Sequence, residues 1–201
     1  MNNKKNLMII SLALVFLIGG ASVLYTRLGQ SLSMDQLAVQ QPHQETETTS
    51  SSETAAEETA APEPVLAPDF TVYDRDGNEV QLSDYIGKPI VLNFWASWCG
   101  PCQMEMPDFH EKYLELGQDV HFLMVNMTDG SRETVDSASA FVDKNAYAFP
   151  VFYDTAVDAA MTYGVYSLPN TYFINDKGHA IAQATGSINA ETLQRGIDMI
   201  M

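Results

Sequence analysis

Two cysteines are spaced for thiol–disulfide chemistry. Cys99 and Cys102 are the only cysteines in a chain of 201 residues, and Gly100 and Pro101 separate them. A disulfide that closes so small a loop removes little chain entropy, so it is a poor structural cross-link. Exported proteins that use disulfides for stability usually carry several pairs. The spacing therefore predicts that this pair is a working redox centre.

The predicted elements around the cysteines favour a reactive Cys99. Residues 89–95 are nearly all apolar, with β-branched and aromatic side chains, so we predict a buried strand there. A helix is predicted from about Cys99 to Leu116. The free N–H groups and the positive dipole at its start stabilise a thiolate, which is the form that attacks a disulfide. Cys102 lies one turn further on and can resolve a mixed disulfide, and Pro101 fits the first turn because a helix needs no N–H there.

The residues from Val65 onward alternate between strand and helix patterns. Turn signals at 76–78 and 175–178 each predict a hairpin. Further strands are predicted at 70–73, 79–82, 120–127, 151–153, 171–175 and 180–185, and further helices at 131–144, 155–163 and 190–200. In the helix at 131–144, four charged side chains are expected to face water: Arg132, Glu133, Asp136 and Asp143. This order predicts an α/β fold with a mixed central sheet flanked by helices on both faces.

The sequence around the cysteines resembles a known family. Thioredoxins have an active-site segment similar to the run Asn93-Phe94-Trp95-Ala96-Ser97-Trp98-Cys99-Gly100-Pro101-Cys102. The extracytoplasmic TlpA/ResA-like branch has a similar continuation, Gln103-Met104-Glu105-Met106-Pro107, and a second landmark is Ser167-Leu168-Pro169-Asn170-Thr171. The resemblance covers residues 65–201. It implies a thioredoxin-like fold and the activity of a thiol–disulfide oxidoreductase.

The resemblance also implies roles for individual residues. It places Pro169 against the cysteine pair in the cis form, as part of the substrate-binding surface, and it makes the backbone of Leu168 a binding site for the substrate strand. Trp98, Gly100 and Pro101 are expected to complete the substrate-binding surface. For Trp98 the alternative is plain packing.

Two positions of the predicted site differ from cytoplasmic thioredoxins. Asn93 replaces a buried Asp, and an amide cannot exchange a proton as that carboxylate does. Glu105 matches a buried acidic position of the TlpA/ResA-like branch and lies one helical turn from Cys102. We expect Glu105 to accept or return the Cys102 proton, and its pKa to be raised if burial desolvates it. The alternative is a solvated helix residue.

The N-terminal residues 1–27 have the pattern of a membrane segment. No charge occurs between Leu7 and Leu24, and a helix of that length spans roughly 27 Å, close to the thickness of a hydrocarbon core. Lys4 and Lys5 precede this run, which predicts a cytoplasmic N-terminus and a single-pass anchor in the cell membrane with an extracytoplasmic C-terminal domain. The alternative is a signal segment that is cleaved to give a secreted protein.

Residues 28–64 have the composition of a linker. They are rich in Glu, Thr, Ser, Ala and Pro and show no apolar periodicity, so we predict an acidic, disordered tether before the domain at 65–201. The net charge of the chain is −16. A nucleic-acid-binding protein needs a basic face, so this charge argues against nucleic acid as a partner.

Reduction of disulfides in exported proteins is the function that this combination favours. A reductase outside the cytoplasm would need electrons from an integral membrane thiol-electron transporter, and its substrates would be disulfide-containing exported proteins. The alternatives are a dithiol oxidase or isomerase of the same fold, a peroxiredoxin-type peroxidase and a non-catalytic binding module. No cofactor is expected beyond the Cys99–Cys102 disulfide, and no metal, because one such pair supplies only half of a tetrahedral site.

Overall fold

The computed structural model describes residues 37–39 and 65–201. The predicted membrane segment lies outside the described residues, as does most of the predicted linker. Within the described residues, no helix combines the length and the apolar character needed to cross a membrane. Residues 37–39 depart from a fully disordered linker, because they form a strand that pairs with the sheet edge at residues 182–184. An open sheet edge offers unpaired backbone groups that such a segment can satisfy.

One mixed sheet of nine strands forms the centre of the described residues. The strands are β1 (Leu37–Val39), β2 (Val65–Leu66), β3 (Thr71–Tyr73), β4 (Glu79–Gln81), β5 (Ile90–Trp95), β6 (His121–Asn126), β7 (Val151–Tyr153), β8 (Asn170–Ile174) and β9 (His179–Thr185). Their order is β1-β9-β8-β5-β6-β7-β3-β4, and β2 also pairs with β9. β5 is parallel to β6 and antiparallel to β8, so the most buried strand has a neighbour of each kind. The predicted mixed sheet is confirmed.

The helices cover both faces of this sheet. They are α1 (Gly100–Leu116), α2 (Val135–Lys144), α3 (Asp158–Thr162) and α4 (Ala190–Asp198), with a 3₁₀ turn at Leu82–Tyr85. Alternate residues of a strand point to opposite faces. Val91 and Trp95 of β5 pack in a core with side chains of α1, α2 and α4. Ile90, Leu92 and Phe94 pack in a second core with side chains of α3 and the 3₁₀ turn.

Two helices begin later than predicted, because side-chain hydrogen bonds and backbone geometry exclude their first predicted residues. α2 begins at Val135 rather than at residue 131, since the Asp129 carboxylate accepts the N–H groups of residues 131–133 and Thr134 then caps the helix. α3 begins at Asp158 rather than at residue 155, since Val157 has a left-handed φ of 59° that a helix cannot include.

The end of α1 is where the sequence places it, at Leu116 with Gly117 following. Gly117 does not adopt the left-handed geometry that often selects glycine after a helix, because its φ is −64°. Lack of room for a side chain explains the glycine at position 117. A Cβ at this position would lie 2.6 Å from the carbonyl oxygen of Tyr113 and 2.9 Å from its ring.

Candidate active site

The turn between β5 and α1 places Cys99 at the start of the helix. Cys99 is the N-cap residue of α1, in extended geometry, and its sulfur accepts the backbone N–H of Cys102 at 3.2 Å. The two cysteines form a disulfide with their Cα atoms 5.2 Å apart. Cys99 is 5% exposed and Cys102 is fully buried. An incoming thiol or disulfide can therefore reach only the Cys99 sulfur.

A second segment meets the cysteines just before β8. The Leu168–Pro169 peptide bond is cis, which is the form that the family resemblance implies. Leu168 lines the same groove as Cys99, whereas Pro169 is buried and accepts the N–H of Gly186 through its carbonyl oxygen at 2.9 Å. The segment that the sequence places at the site thus lies beside the reactive sulfur.

A groove of about 510 Å³ runs past the Cys99 sulfur. It contains five of the residues that the sequence assigns to the site, namely Trp98, Cys99, Gly100, Pro101 and Leu168. Its remaining walls come from the ends of β6 and β7 and from the segment before β8. Trp98 is 40% exposed and Tyr166 is 93% exposed, so two aromatic rings are available to a bound chain. An open, partly apolar groove of this kind suits an extended peptide.

Arg132 lies on the groove wall, although it was predicted to belong to a water-facing stretch of helix. Its guanidinium carbon is 3.5 Å from the centroid of the Trp98 ring, which is a cation–π contact. Arg132 is exposed, as predicted, but the predicted helix does not include it, because residues 131–134 form a loop. The sequence signal for this loop was the Asp129-Gly130 pair, since an Asp side chain commonly accepts backbone N–H groups of the residues that follow it by two or three positions.

Glu105 is buried in α1, three residues after Cys102. It is 1% exposed, so the alternative of a solvated helix residue does not hold. One carboxylate oxygen accepts the side-chain N–H of Asn93 and the other accepts the backbone N–H of Ile188, both at 2.9 Å. Burial raises the pKa of Glu105 to about 7, although both hydrogen bonds oppose the shift. This carboxyl group can therefore gain or lose a proton near neutral pH.

Asn93 joins Glu105 to the sheet. Its side-chain N–H group donates to Glu105 and also to the Thr171 hydroxyl at 3.0 Å. Its own amide oxygen has no hydrogen-bond partner among the described residues, although it is buried. Rotation of the side-chain amide by 180° exchanges the positions of its N–H donor and its oxygen acceptor. Asn93 can thus face either a charged Glu105 or a protonated one.

Glu133 is fully buried, so the prediction that it faces water is wrong. Its carboxylate accepts the N–H and the hydroxyl of Ser97, each at 2.8 Å, and the hydroxyl of Ser137 at 3.0 Å. The reason is the same loop at 131–134, which turns this side chain inward before α2 begins. No pattern in the sequence around Glu133 indicates these contacts.

The described residues contain no group of three or more His, Cys, Asp or Glu side chains arranged to hold a metal ion. An accessible sulfur at a helix start, a buried second sulfur and a buried acid suit thiol–disulfide exchange.

Comparison with known proteins agrees with this geometry. Residues 65–183 match the model of the AhpC/TSA family. A thiol-disulfide oxidoreductase ResA from Geobacillus kaustophilus is 35% identical over 145 residues, which make up 72% of this chain and 81% of that relative. A ResA from Bacillus cereus is 35% identical over 137 residues, 67% of this chain and 76% of the relative.

A solved structure shows the same likeness in three dimensions. The exposed lipoprotein thioredoxin of Streptococcus pneumoniae superimposes with a TM-score of 0.54 at 33% identity, covering 65% of this chain and 99% of that one. Together with the family match, this similarity confirms the thioredoxin-like fold. The chain belongs to the AhpC/TSA family and is a thioredoxin-like thiol–disulfide oxidoreductase of the ResA type.

Proposed function

We propose that this protein reduces the disulfides of exported proteins outside the cytoplasm. The observation that supports this most directly is the position of Cys99. Its sulfur is the accessible member of the pair, lies at the start of α1 and faces a groove that an extended peptide can enter. The Gly100-Pro101 pair between the cysteines is similar to the pair at the same place in the strongly reducing thioredoxins.

The proposed reaction has two steps. The Cys99 thiolate attacks one sulfur of the substrate disulfide, so a mixed disulfide forms and the other substrate sulfur leaves as a thiolate that takes a proton. The Cys102 thiol then loses its proton and attacks the Cys99 sulfur. This step forms the Cys99–Cys102 disulfide and releases the second substrate thiol. Two electrons pass from the protein to the substrate.

Glu105 is the proposed acceptor of the Cys102 proton. Cys102 has no exposed surface, so its proton cannot pass directly to bulk water. Glu105 lies three residues further along α1, is buried, and has a pKa raised to about 7 by burial. A base with a pKa near the working pH transfers protons efficiently in both directions.

The substrate strand is proposed to lie in the groove between Trp98 and Leu168. Leu168 lines the groove together with Cys99, so its backbone is the proposed contact for this strand. Gly100 and Pro101 leave the approach to Cys99 free of bulky side chains, and a Cβ on Gly100 would touch nothing within 4 Å. Trp98 supplies a flat apolar surface for the substrate.

The location and the electron source complete the proposal. The uncharged run at 7–24 supports a membrane anchor, and the relative from Streptococcus pneumoniae is described as an exposed lipoprotein. A domain held outside the cytoplasm is beyond the reach of soluble cytoplasmic reductants. An integral membrane thiol-electron transporter is therefore the proposed partner that reduces the Cys99–Cys102 disulfide again.

Equilibration against glutathione tests the direction of the reaction. The expected reduction potential is near that of thioredoxin, about −270 mV. The fraction of reduced protein can be measured by gel shift after thiol labelling in a series of glutathione buffers. A potential well above about −200 mV would overturn the reductase and would favour the dithiol oxidase or isomerase.

A further inference from the structure

The segment just before the reactive cysteine is fixed by a buried acid from another part of the chain. Ser97 lies two residues before Cys99, in the turn that joins β5 to α1. Its N–H and its hydroxyl both donate to one oxygen of Glu133, 36 residues later, at 2.8 Å each. The carbonyl oxygen of Ser97 accepts the side-chain N–H of Gln103 at 2.6 Å. Every polar group of Ser97 is thus bound by a side chain.

Glu133 is itself held in place on several sides. Its N–H donates to the Asp129 carboxylate at 3.0 Å, its carbonyl oxygen accepts the N–H of Gly130 at 2.9 Å, and its second carboxylate oxygen accepts the Ser137 hydroxyl. The loop that carries it is therefore ordered by its own hydrogen bonds. A carboxylate fixed in this way can hold the Ser97 segment in one position.

The same loop contacts the active-site turn a second time. Arg132, next to Glu133, places its guanidinium group over the Trp98 ring. Ser97 and Trp98 are consecutive, so two consecutive residues of the loop hold two consecutive residues of the turn. Cys99 follows directly, and its N–H donates to the carbonyl oxygen of Ala96 at 3.1 Å, which closes the turn.

Burial of the Glu133 carboxylate costs free energy, which indicates that its contact with Ser97 does more than fill space in the core. A buried carboxylate loses its hydration, and hydrogen bonds recover only part of that loss. A protein with an apolar side chain in the same space is often as stable as the protein with the buried charge, or more stable. What the carboxylate supplies and an apolar side chain does not is a fixed direction for the Ser97 N–H and hydroxyl.

We infer that Glu133 is a positioning residue for the Cys99 sulfur. By holding Ser97, its carboxylate keeps Cys99 at the N-cap of α1, where the sulfur accepts the Cys102 N–H and faces the positive end of the helix dipole. The thiolate depends on that position for its stability. This inference rests on the proposed function, in which the Cys99 thiolate is the attacking group.

Alkylation of the reduced protein across a range of pH tests the inference. In Glu133→Ala the Ser97 donors lose their acceptor, so the turn relaxes and the pKa of the Cys99 thiol rises. A rise of one unit lowers the thiolate fraction, and with it the alkylation rate at pH 6, about tenfold. Loss of the Glu133 negative charge would by itself lower the pKa of the Cys99 thiol, so a rise reports on the turn and not on the lost charge.

Three further variants separate positioning from stability. Glu133→Gln keeps an oxygen that can accept from Ser97, so its alkylation profile should stay close to that of the unchanged protein. Thr134→Ala removes the cap of α2 and should lower the melting temperature without moving the profile. Ser97→Ala removes one of the two donors and should shift the profile in the same direction as Glu133→Ala, by less. If Glu133→Ala does not fold, the alkylation profile of Ser97→Ala tests the inference in its place.

A Cys99 profile that is unchanged in Glu133→Ala, or in Ser97→Ala if the first does not fold, would overturn the inference. A shift of equal size in Thr134→Ala would do the same, because it would reduce the effect to lost stability. The proposed function fails separately. If the unchanged protein does not reduce protein disulfides, the effect of Glu133 on the Cys99 profile can still be measured.

Discussion

At the scale of single residues, the central feature is a carboxyl group in the protein core. Glu105 accepts hydrogen bonds from Asn93 and Ile188, and burial nevertheless raises its pKa to about 7. Desolvation therefore outweighs two hydrogen bonds that favour the charged form. An acid in this state holds its proton more tightly in the folded chain than in the unfolded chain, so it affects stability as well as catalysis.

The effect on stability has a definite sign. The pKa of Glu105 is 4.5 in the unfolded reference and about 7 in the folded protein. Its contribution is fully present below pH 4.5 and is lost as the pH rises to 7, because ionisation then favours the unfolded chain. Between these values the free energy of unfolding should fall by on the order of 1–3 kcal/mol more than in Glu105→Gln. Denaturant unfolding of the oxidised protein across this range measures it, and parallel curves for the two proteins would contradict it.

The effect on catalysis concerns the second step of the reaction. Glu105→Gln should slow the attack of Cys102 on the mixed disulfide about 100-fold near neutral pH, because the proton loses its acceptor. Rapid mixing with a fluorescent disulfide substrate separates this step from the first. Glu111→Gln, an exposed position on the same helix, is the matched control and should change nothing. Equal rates for wild-type protein and Glu105→Gln from pH 6 to 9 would remove Glu105 from the mechanism.

At the level of elements, the site depends on where two strands end and a third begins. β5 ends before the cysteines, β6 ends before the loop that carries Arg132 and Glu133, and β8 begins after the cis Pro169. β6 runs parallel to β5 and β8 runs antiparallel to it. The carboxyl ends of β5 and β6 and the amino end of β8 therefore meet at one edge of the sheet, where the groove lies.

The sequence predicts the local part of this arrangement and misses the long-range part. The strand at β5, the helix start at Cys99 and the hairpin of β8 and β9 follow from nearby residues, and the family resemblance adds Pro169. The contact of Glu133 with Ser97 joins residues 36 positions apart. It depends on how β6 pairs with β5, and periodicity along one element carries no information about that pairing.

Two helical glycines give a matched test of element packing. A Cβ on Gly196 in α4 would lie 2.2 Å from the ring of Phe173, whereas a Cβ on Gly100 in α1 would meet nothing within 4 Å. Gly196→Ala should therefore lower the free energy of unfolding by about 1–3 kcal/mol, because α4 or the ring must move. Gly100→Ala should leave stability unchanged or raise it slightly, since alanine favours a helix. Equal melting temperatures for these two variants would contradict this packing of α4 on the sheet.

In the whole molecule as proposed, a membrane anchor carries the redox domain. A chain with a net charge of −16 would be repelled by an anionic membrane, so attachment would rest on the N-terminal run at 7–24. The acidic residues of 28–64 would keep the domain in solvent. The domain could then visit both a transporter in the membrane and substrates beyond it.

Cell fractionation tests this arrangement. The full chain should stay with the membrane fraction after an alkaline wash. Protease added to intact protoplasts or spheroplasts should cleave the domain. A chain that begins at Val65 is the control and should remain in the cytoplasm, shielded from the protease. Recovery of the full chain in the cytoplasmic fraction would contradict export, and its release into the medium would indicate a cleaved signal segment.

Trapping of substrates in cells shows directly whether Cys99 attacks the disulfides of exported proteins. In Cys102→Ser the mixed disulfide cannot be resolved, so Cys99 should stay joined to its substrate. We predict adducts with exported proteins that a reductant releases and that disappear in the double variant Cys99→Ser, Cys102→Ser. Adducts that persist without Cys99, or adducts with cytoplasmic proteins alone, would contradict the proposed function.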